Sequence, residues 1–142
     1  MRLNGIVESG TGKASYWLAC FARVYEEWLG MPVFPGSLNL RLPQGFDWHD
    51  PGVAEQRRTF SLFPHGGERL IYMVPCEILL PNRCRAFLWS TTNAANEIRP
   101  VVEIIASVCL REQLHIENGS AVALTCPEPW PSAIHGTEQT PC

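Results

Sequence analysis

Lysine is almost missing from this 142-residue chain: Lys13 stands alone beside ten arginines, and the net charge is −3. The isoelectric point is near 5.8 and the arginines are scattered, so no basic face is available to displace counterions from a phosphate backbone. That argues against a general nucleic-acid binder. No apolar run approaches the roughly 20 residues needed to cross a bilayer, and Met1-Arg2-Leu3-Asn4-Gly5 lacks the layout of a secretory leader, so a cytoplasmic protein with no membrane partner is expected. Also absent is any C-x-x-C pair. His49, His65, His115 and His135 fall at no ligand spacing relative to a cysteine, so structural zinc is not expected and any metal should be held by oxygen. Cys20, Cys76, Cys84, Cys109, Cys126 and Cys142 are then expected as reduced thiols. Charge is scarce too, at 18% against 46% hydrophobic residues, which is too little for a solvated disordered chain and suits one folded domain.

What is present is mostly period-two patterning. Gly36-Ser-Leu-Asn-Leu-Arg-Leu42 alternates, placing Leu38, Leu40 and Leu42 on one face and Ser37, Asn39 and Arg41 on the other. Further strands are expected at 3–8, 57–63, 69–80, 85–90, 101–106 and 120–125, with Pro75 bending the longest or lying at an edge. Helical spacing occurs in Tyr16, Trp17, Cys20, Phe21, Val24, Tyr25, Trp28 and Leu29, one long core-packed helix with Ser15 at its start and Gly30 at its end. A short helix is expected over Leu110–Leu114 and a tight turn at Asn118-Gly119. Residues 126–142, with four prolines and no period, read as a mobile tail. The fold class expected is mainly β, a small six-stranded barrel with one long and one short helix, since closure removes exposed strand edges.

Three segments could carry chemistry. Ser9-Gly-Thr-Gly-Lys-Ala-Ser15 follows a strand and opens the helix, a layout that turns backbone N–H groups and the Lys13 ammonium toward an anion. It is not a Walker A loop, because Val7 and Ala14 stand where that motif needs glycine and Ser or Thr; an ordinary strand-to-helix turn is the competing reading. Ser37 and Asn39 share a strand face and could hold Mg²⁺ through oxygen while nucleotide phosphates complete its shell, with Arg41 reaching the same anion; the plainer alternative is a solvated face. Glu103, an acid in an apolar strand, either accepts a hydrogen bond from a ligand or points outward.

In this order, Gly5-Ile-Val-Glu-Ser-Gly-Thr-Gly-Lys-Ala-Ser-Tyr16, Phe34-Pro-Gly-Ser-Leu-Asn-Leu-Arg-Leu42 and Val102-Glu-Ile-Ile-Ala106 with Leu110-Arg-Glu-Gln-Leu114 and Asn118-Gly-Ser120 resemble the archaeal-type CTP-dependent riboflavin kinases, from position 5 to about 125. The resemblance implies a cradle-loop barrel that transfers the γ-phosphoryl of CTP to riboflavin, giving FMN and CDP. It implies that Gly10, Thr11, Gly12, Lys13, Ala14 and Ser15 form the nucleotide loop, with Val108, Cys109, Leu110 and Arg111 lining the cytidine nucleotide. Ser37 and Asn39 take the place of the magnesium-holding pair, and Glu103 that of the flavin-contacting acid. Thr92 is the threonine nearest to a second flavin contact, offset by a few residues. Ala14, Ser37 and Ser107 depart from the family's more usual glycine, threonine and proline. The implied partners are riboflavin and CTP, with Mg²⁺ as cofactor, no nucleic acid, and a monomer favoured. Two other readings stand beside this one: a flavin- or nucleotide-binding homologue without turnover, and a DNA-binding swapped-hairpin barrel, which the acidic pI opposes.

Overall fold

The alternation in Ser37–Leu42 sets the architecture, because each strand buries one set of side chains and leaves the other for a second layer. The computed structural model describes residues 1–10, 13–63 and 67–131, and of Lys13 the backbone only. Its strands are β1 (Arg2–Glu8), β2 (Leu38–Phe46), β3 (Arg58–Leu62), β4 (Arg69–Leu80), β5 (Cys84–Thr91), β6 (Arg99–Ile105) and β7 (Ala121–Thr125). They pair antiparallel in the order β3-β4-β5-β6-β2-β1-β7, and β7 returns to β4, which closes six strands into a barrel and leaves β3 outside. Val7, Leu38, Leu40, Leu42, Val74, Leu88, Val102, Ile104 and Leu124 fill the interior, all buried. Each such side chain contributes about 1.5–3 kcal/mol by leaving water.

Pro75 resolves in an unexpected way. β4 pairs with β3 through Arg69–Met73 and with β7 through Glu77–Leu80, so Pro75 sits where β4 changes neighbours while β5 runs unbroken along its other edge. A residue without an N–H costs nothing at that gap, and its carbonyl accepts from the Glu128 N–H at 2.9 Å.

The expected long helix is two helices in succession, α1 (Lys13–Cys20) and α2 (Ala22–Leu29). They meet at Phe21, whose φ of −116° and ψ of 30° leave the helical region. The i→i−4 pattern still passes through the joint, from Phe21 N to Trp17 O and from Tyr25 N to Phe21 O, both 3.1 Å. Ser15 lies inside the first turn of α1 instead of capping it, whereas Gly30 ends α2 with φ 69°, a left-handed conformation that suits glycine. The apolar stripe packs on the outside of the barrel: Leu18, Tyr25 and Leu29 meet Ile71, Met73, Phe87, Trp89 and Ile105 in a second core. The short helix forms as α4 (Leu110–Gln113). Not anticipated were α3 (Pro51–Gln56), which Asp50 caps by accepting from Gly52 N at 3.1 Å, and a 3₁₀ turn at Ala94–Asn96.

The tail assignment changes at its beginning. Cys126 is buried, its carbonyl takes the Met1 ammonium at 2.9 Å, and Trp130 Nε1 donates to Gln56 O at 2.6 Å. Trp130 also lies against Phe60, Phe87 and the Arg58 guanidinium, so the chain as far as Trp130 straps the barrel. Residues 132–142, including Cys142 and His135, lie outside the described residues, as does His65. The five described cysteines are free thiols. Among the described residues no helix is long and apolar enough to cross a membrane.

Candidate functional site

Strand register places the nominated polar residues in one row. Glu8 on β1 stands opposite Asn39 on β2, Asn39 opposite Glu103 on β6, and Glu103 opposite Trp89 on β5. Their sequence neighbours Val7, Leu38, Leu40, Val102, Ile104 and Leu88 point into the barrel, so this row faces outward, beside the edge of the helical layer. Ser37, one outward step from Asn39, donates its hydroxyl to Glu103 Oε1 at 3.0 Å. Burial pushes the Glu103 carboxyl above its usual range, opposed by that bond, which favours the ionised form. Asn39 Oδ1 is buried and, among the described residues, has no hydrogen-bond partner. Such an orphan costs about 1–3 kcal/mol unless something accepts the lone pair.

Gly10 explains how β1 can deliver its loop against this row. A Cβ at Gly10 would overlap the Asn39 amide nitrogen and lie 2.7 Å from its Cγ, so glycine lets the backbone pass with the Asn39 side chain where it stands. The loop start is tied to α4: Arg111 donates to Asn118 Oδ1 at 2.9 Å, and Asn118 Nδ2 donates to Ser9 Oγ at 2.8 Å.

Two hollows flank the row. A cleft of about 390 Å³ has Gly10, Asn39 and Glu103 at one end, Arg99 at the other, and Trp48 and Trp89 in its walls. A smaller hollow of about 90 Å³ is bounded by Phe34, Gly36, Ser37, Cys109, Leu110 and Arg111. The Ser37–Glu103 hydrogen bond joins the two. Gly10, Ser37, Asn39, Glu103, Cys109, Leu110 and Arg111 are therefore brought together. Ser15 comes near, its Oγ within 3.7 Å of a Cβ built on Gly36. Ala14 is 1% exposed and packs into the outer core, and Val108 packs against the barrel interior, so both support the site from behind. Thr92 is not brought to the cleft: its N–H bonds Leu70 O at 3.0 Å, and Trp89, Ser90 and Ala94 line that side instead. Thr11, Gly12 and the Lys13 side chain lie outside the described residues. Arg41 does not reach the row's centre; it pairs with Glu8 at 2.6 Å on the exposed surface, which raises its own pKa.

Sequence reasoning missed Glu8, Trp48, Trp89 and Arg99. For Glu8, Trp89 and Arg99 the signal lies in cross-strand register, which no single strand displays, and Trp48 sits in the turn after β2. A further cavity of about 470 Å³ lies elsewhere, between the end of α2, the Pro75–Glu77 stretch and the Glu128–Pro131 strap, and contains none of the nominated residues.

Chemically, Ser37 Oγ and Asn39 Oδ1 are neutral hard oxygens on one strand face, with a carboxylate behind and an unused lone pair on Asn39. That set fits a hard divalent cation whose remaining positions come from water and phosphate. Among the described residues no cluster of three His, Cys, Asp or Glu suits a metal held by protein alone.

The family model for CTP-dependent riboflavin kinases, described as "Domain of unknown function DUF120", matches residues 7–126. A riboflavin kinase from Aeropyrum pernix is 30% identical over 136 residues, covering 89% of this chain and 96% of that protein. One from Pyrobaculum aerophilum is 31% identical over 134 residues, and one from Methanospirillum hungatei 28% over 141, with this chain spanning 59% and 57% of their respective lengths. The match covers the barrel, the glycine-rich loop and α4 together, and the chain belongs to the CTP-dependent riboflavin kinase family.

Proposed function

We propose that this chain phosphorylates riboflavin at the junction of the two hollows, with CTP as donor and Mg²⁺ as cofactor, yielding FMN and CDP. The single observation that carries the reading is Asn39 Oδ1, a buried acceptor with no partner among the described residues, set between the loop start at Gly10 and the Ser37–Glu103 pair. The family membership and the names of the three relatives support the same chemistry.

The residues divide the work. Gly10, Thr11, Gly12, Lys13, Ala14 and Ser15, the segment leading into α1, are assigned to the phosphates of CTP. Cys109, Leu110 and Arg111 bound the smaller hollow, where the rest of the nucleotide sits. Ser37 Oγ and Asn39 Oδ1 hold Mg²⁺, which supplies charge neutralisation at the transferring phosphoryl group. Glu103 accepts a hydroxyl of the ribityl chain and orients it. Buried Trp48 and Trp89 give the larger cleft part of its wall, beside the polar groups of Glu8, Ser9, Asn39, Ser90 and Glu103. Phosphoryl transfer asks mainly for positioning and charge neutralisation, so a site built of amides, one cation and one carboxylate suffices.

The test is to incubate the protein with riboflavin, CTP and Mg²⁺ and resolve flavins chromatographically. FMN formation supports the proposal. Binding of both ligands without FMN would instead establish a binding protein that has lost turnover.

A further inference from the structure

Arg99 is half-buried and, among the described residues, is the one cationic side chain lining the larger cleft. Among the described residues its guanidinium makes no ion pair and no hydrogen bond. Among the described residues the other half-buried arginines are engaged, Arg57 with Trp48 O, Arg58 over the Trp130 ring and Arg111 with Asn118, whereas the other unpaired arginines, Arg2, Arg23, Arg69 and Arg85, are exposed. A half-buried, donor-only group with no acceptor among the described residues is poised for a ligand.

Its position says which part of a ligand. On β6 Glu103 and Val101 face outward, since Val102 and Ile104 are interior; Arg99 lies two residues beyond Val101, opposite buried Phe46 past a register shift, and lines the same cleft. Glu103 is in register with Asn39 and Arg99 with Phe46. Four residues of strand separate the two by about 13 Å. The two carboxylates of the cleft, Glu8 and Glu103, stand at the Asn39 end. Under the riboflavin reading, on which this inference rests, the reacting hydroxyl must lie beside Asn39 and Ser37, so the ring system extends along β6 toward Arg99. One end of that ring system is a hydrocarbon ring, and the other is a pyrimidine with carbonyl oxygens and a ring nitrogen that accept hydrogen bonds.

We infer that Arg99 is the specificity-determining residue of the flavin cleft, donating from its guanidinium to the acceptor edge of the pyrimidine ring at the end farthest from the phosphoryl-transfer centre. Arginine suits that edge because its fork can donate to two neighbouring acceptors at once. It also rejects analogues that lack the acceptors, because their binding would leave the guanidinium desolvated and unpaired.

The experiment measures fluorescence quenching of riboflavin, FMN and lumiflavin, which has no ribityl chain, on wild type, Arg99→Met and Arg99→Lys. CTP titration is the control for folding. Arg99→Met is expected to raise all three flavin dissociation constants by a common factor of about 10–100, with CTP affinity unchanged. Arg99→Lys, which keeps charge but loses the fork, should fall between. Wild-type flavin affinity in Arg99→Met with intact CTP binding overturns the inference, as does weakening confined to FMN, which would make Arg99 a phosphate ligand. Should Arg99→Met fail to bind CTP, Arg99→Lys decides: unchanged affinity for all three flavins overturns the inference. A wild-type protein that binds CTP but no flavin overturns the riboflavin reading itself, a result visible before any variant is made.

Discussion

Replacing Asn39 by alanine separates folding from function more cleanly than any other change at the site. In the ligand-free protein the buried Oδ1 has no partner among the described residues, so Asn39→Ala removes an acceptor whose burial costs about 1–3 kcal/mol and loses only the packing of a small amide. The net effect on the free protein should lie between about 0 and +2 kcal/mol, neutral to stabilising. A satisfied buried asparagine would behave oppositely. With ligand the sign reverses. Mg²⁺ and CTP at about 100 times the dissociation constant stabilise the wild type by about 2.7 kcal/mol, or about 10 °C in Tm for a domain of this size. Loss of a metal-holding oxygen that weakens binding about 100-fold leaves about 0.4 kcal/mol, a shift of less than about 2 °C. Scanning calorimetry of both proteins, with and without Mg²⁺ and CTP, reads all four states. A free variant destabilised by more than about 1.5 kcal/mol, or one that keeps the full ligand-induced shift, would refute the reasoning.

Glu103→Gln should stabilise the free protein at neutral pH while weakening riboflavin binding. The folded-state pKa of Glu103 is raised, so the folded protein binds its proton more tightly than the unfolded chain; stability from this group is full below the unfolded value near 4.3 and is lost as pH rises through the folded one. The advantage of the glutamine variant should thus vanish in denaturant titrations at about pH 4, and an advantage that persists there would contradict the assigned cause. Gly10→Ala should cost little stability, since the clashing atoms belong to a movable side chain, yet displace Asn39 and reduce Mg²⁺-dependent CTP affinity at least 10-fold by calorimetric titration; unaltered affinity would place the loop elsewhere. Trp130→Ala should lower stability by about 2 kcal/mol, losing the bond to Gln56 O and the contacts with Phe60, Phe87 and Arg58, without changing flavin affinity. A loss below about 0.5 kcal/mol would mean that the strap contributes nothing.

The strands were legible because alternation reports burial directly: Arg69–Leu80 appears with the bounds its pattern suggests, and Leu38, Leu40 and Leu42 are interior as their spacing requires. Ser37 and Asn39 share one strand face in the sequence and Glu103 belongs to another segment, and the structure brings them together because β2 and β6 are neighbours in the barrel. Where reading failed, the information was not local. The break at Phe21 lies within an unbroken apolar stripe, and the docking of Trp130 depends on Gln56, 74 residues earlier. Thr92 lies between Ser90 and Ala94, which line the cleft, while its own N–H bonds Leu70 O. The cap of α3, by contrast, was legible and overlooked, since Asp50-Pro51 is a helix-start signal in its own right.

Following the γ-phosphoryl group tests the central claim most directly. The protein is mixed with riboflavin, Mg²⁺ and CTP labelled at the γ-phosphorus, with ATP, GTP and UTP labelled likewise in parallel, and the label is traced among nucleotide, flavin and inorganic phosphate. The account predicts label in FMN in proportion to CDP formed, with CTP the preferred donor and Asn39→Ala inactive. Label that stays in CTP, or that appears as inorganic phosphate with no FMN, would contradict it.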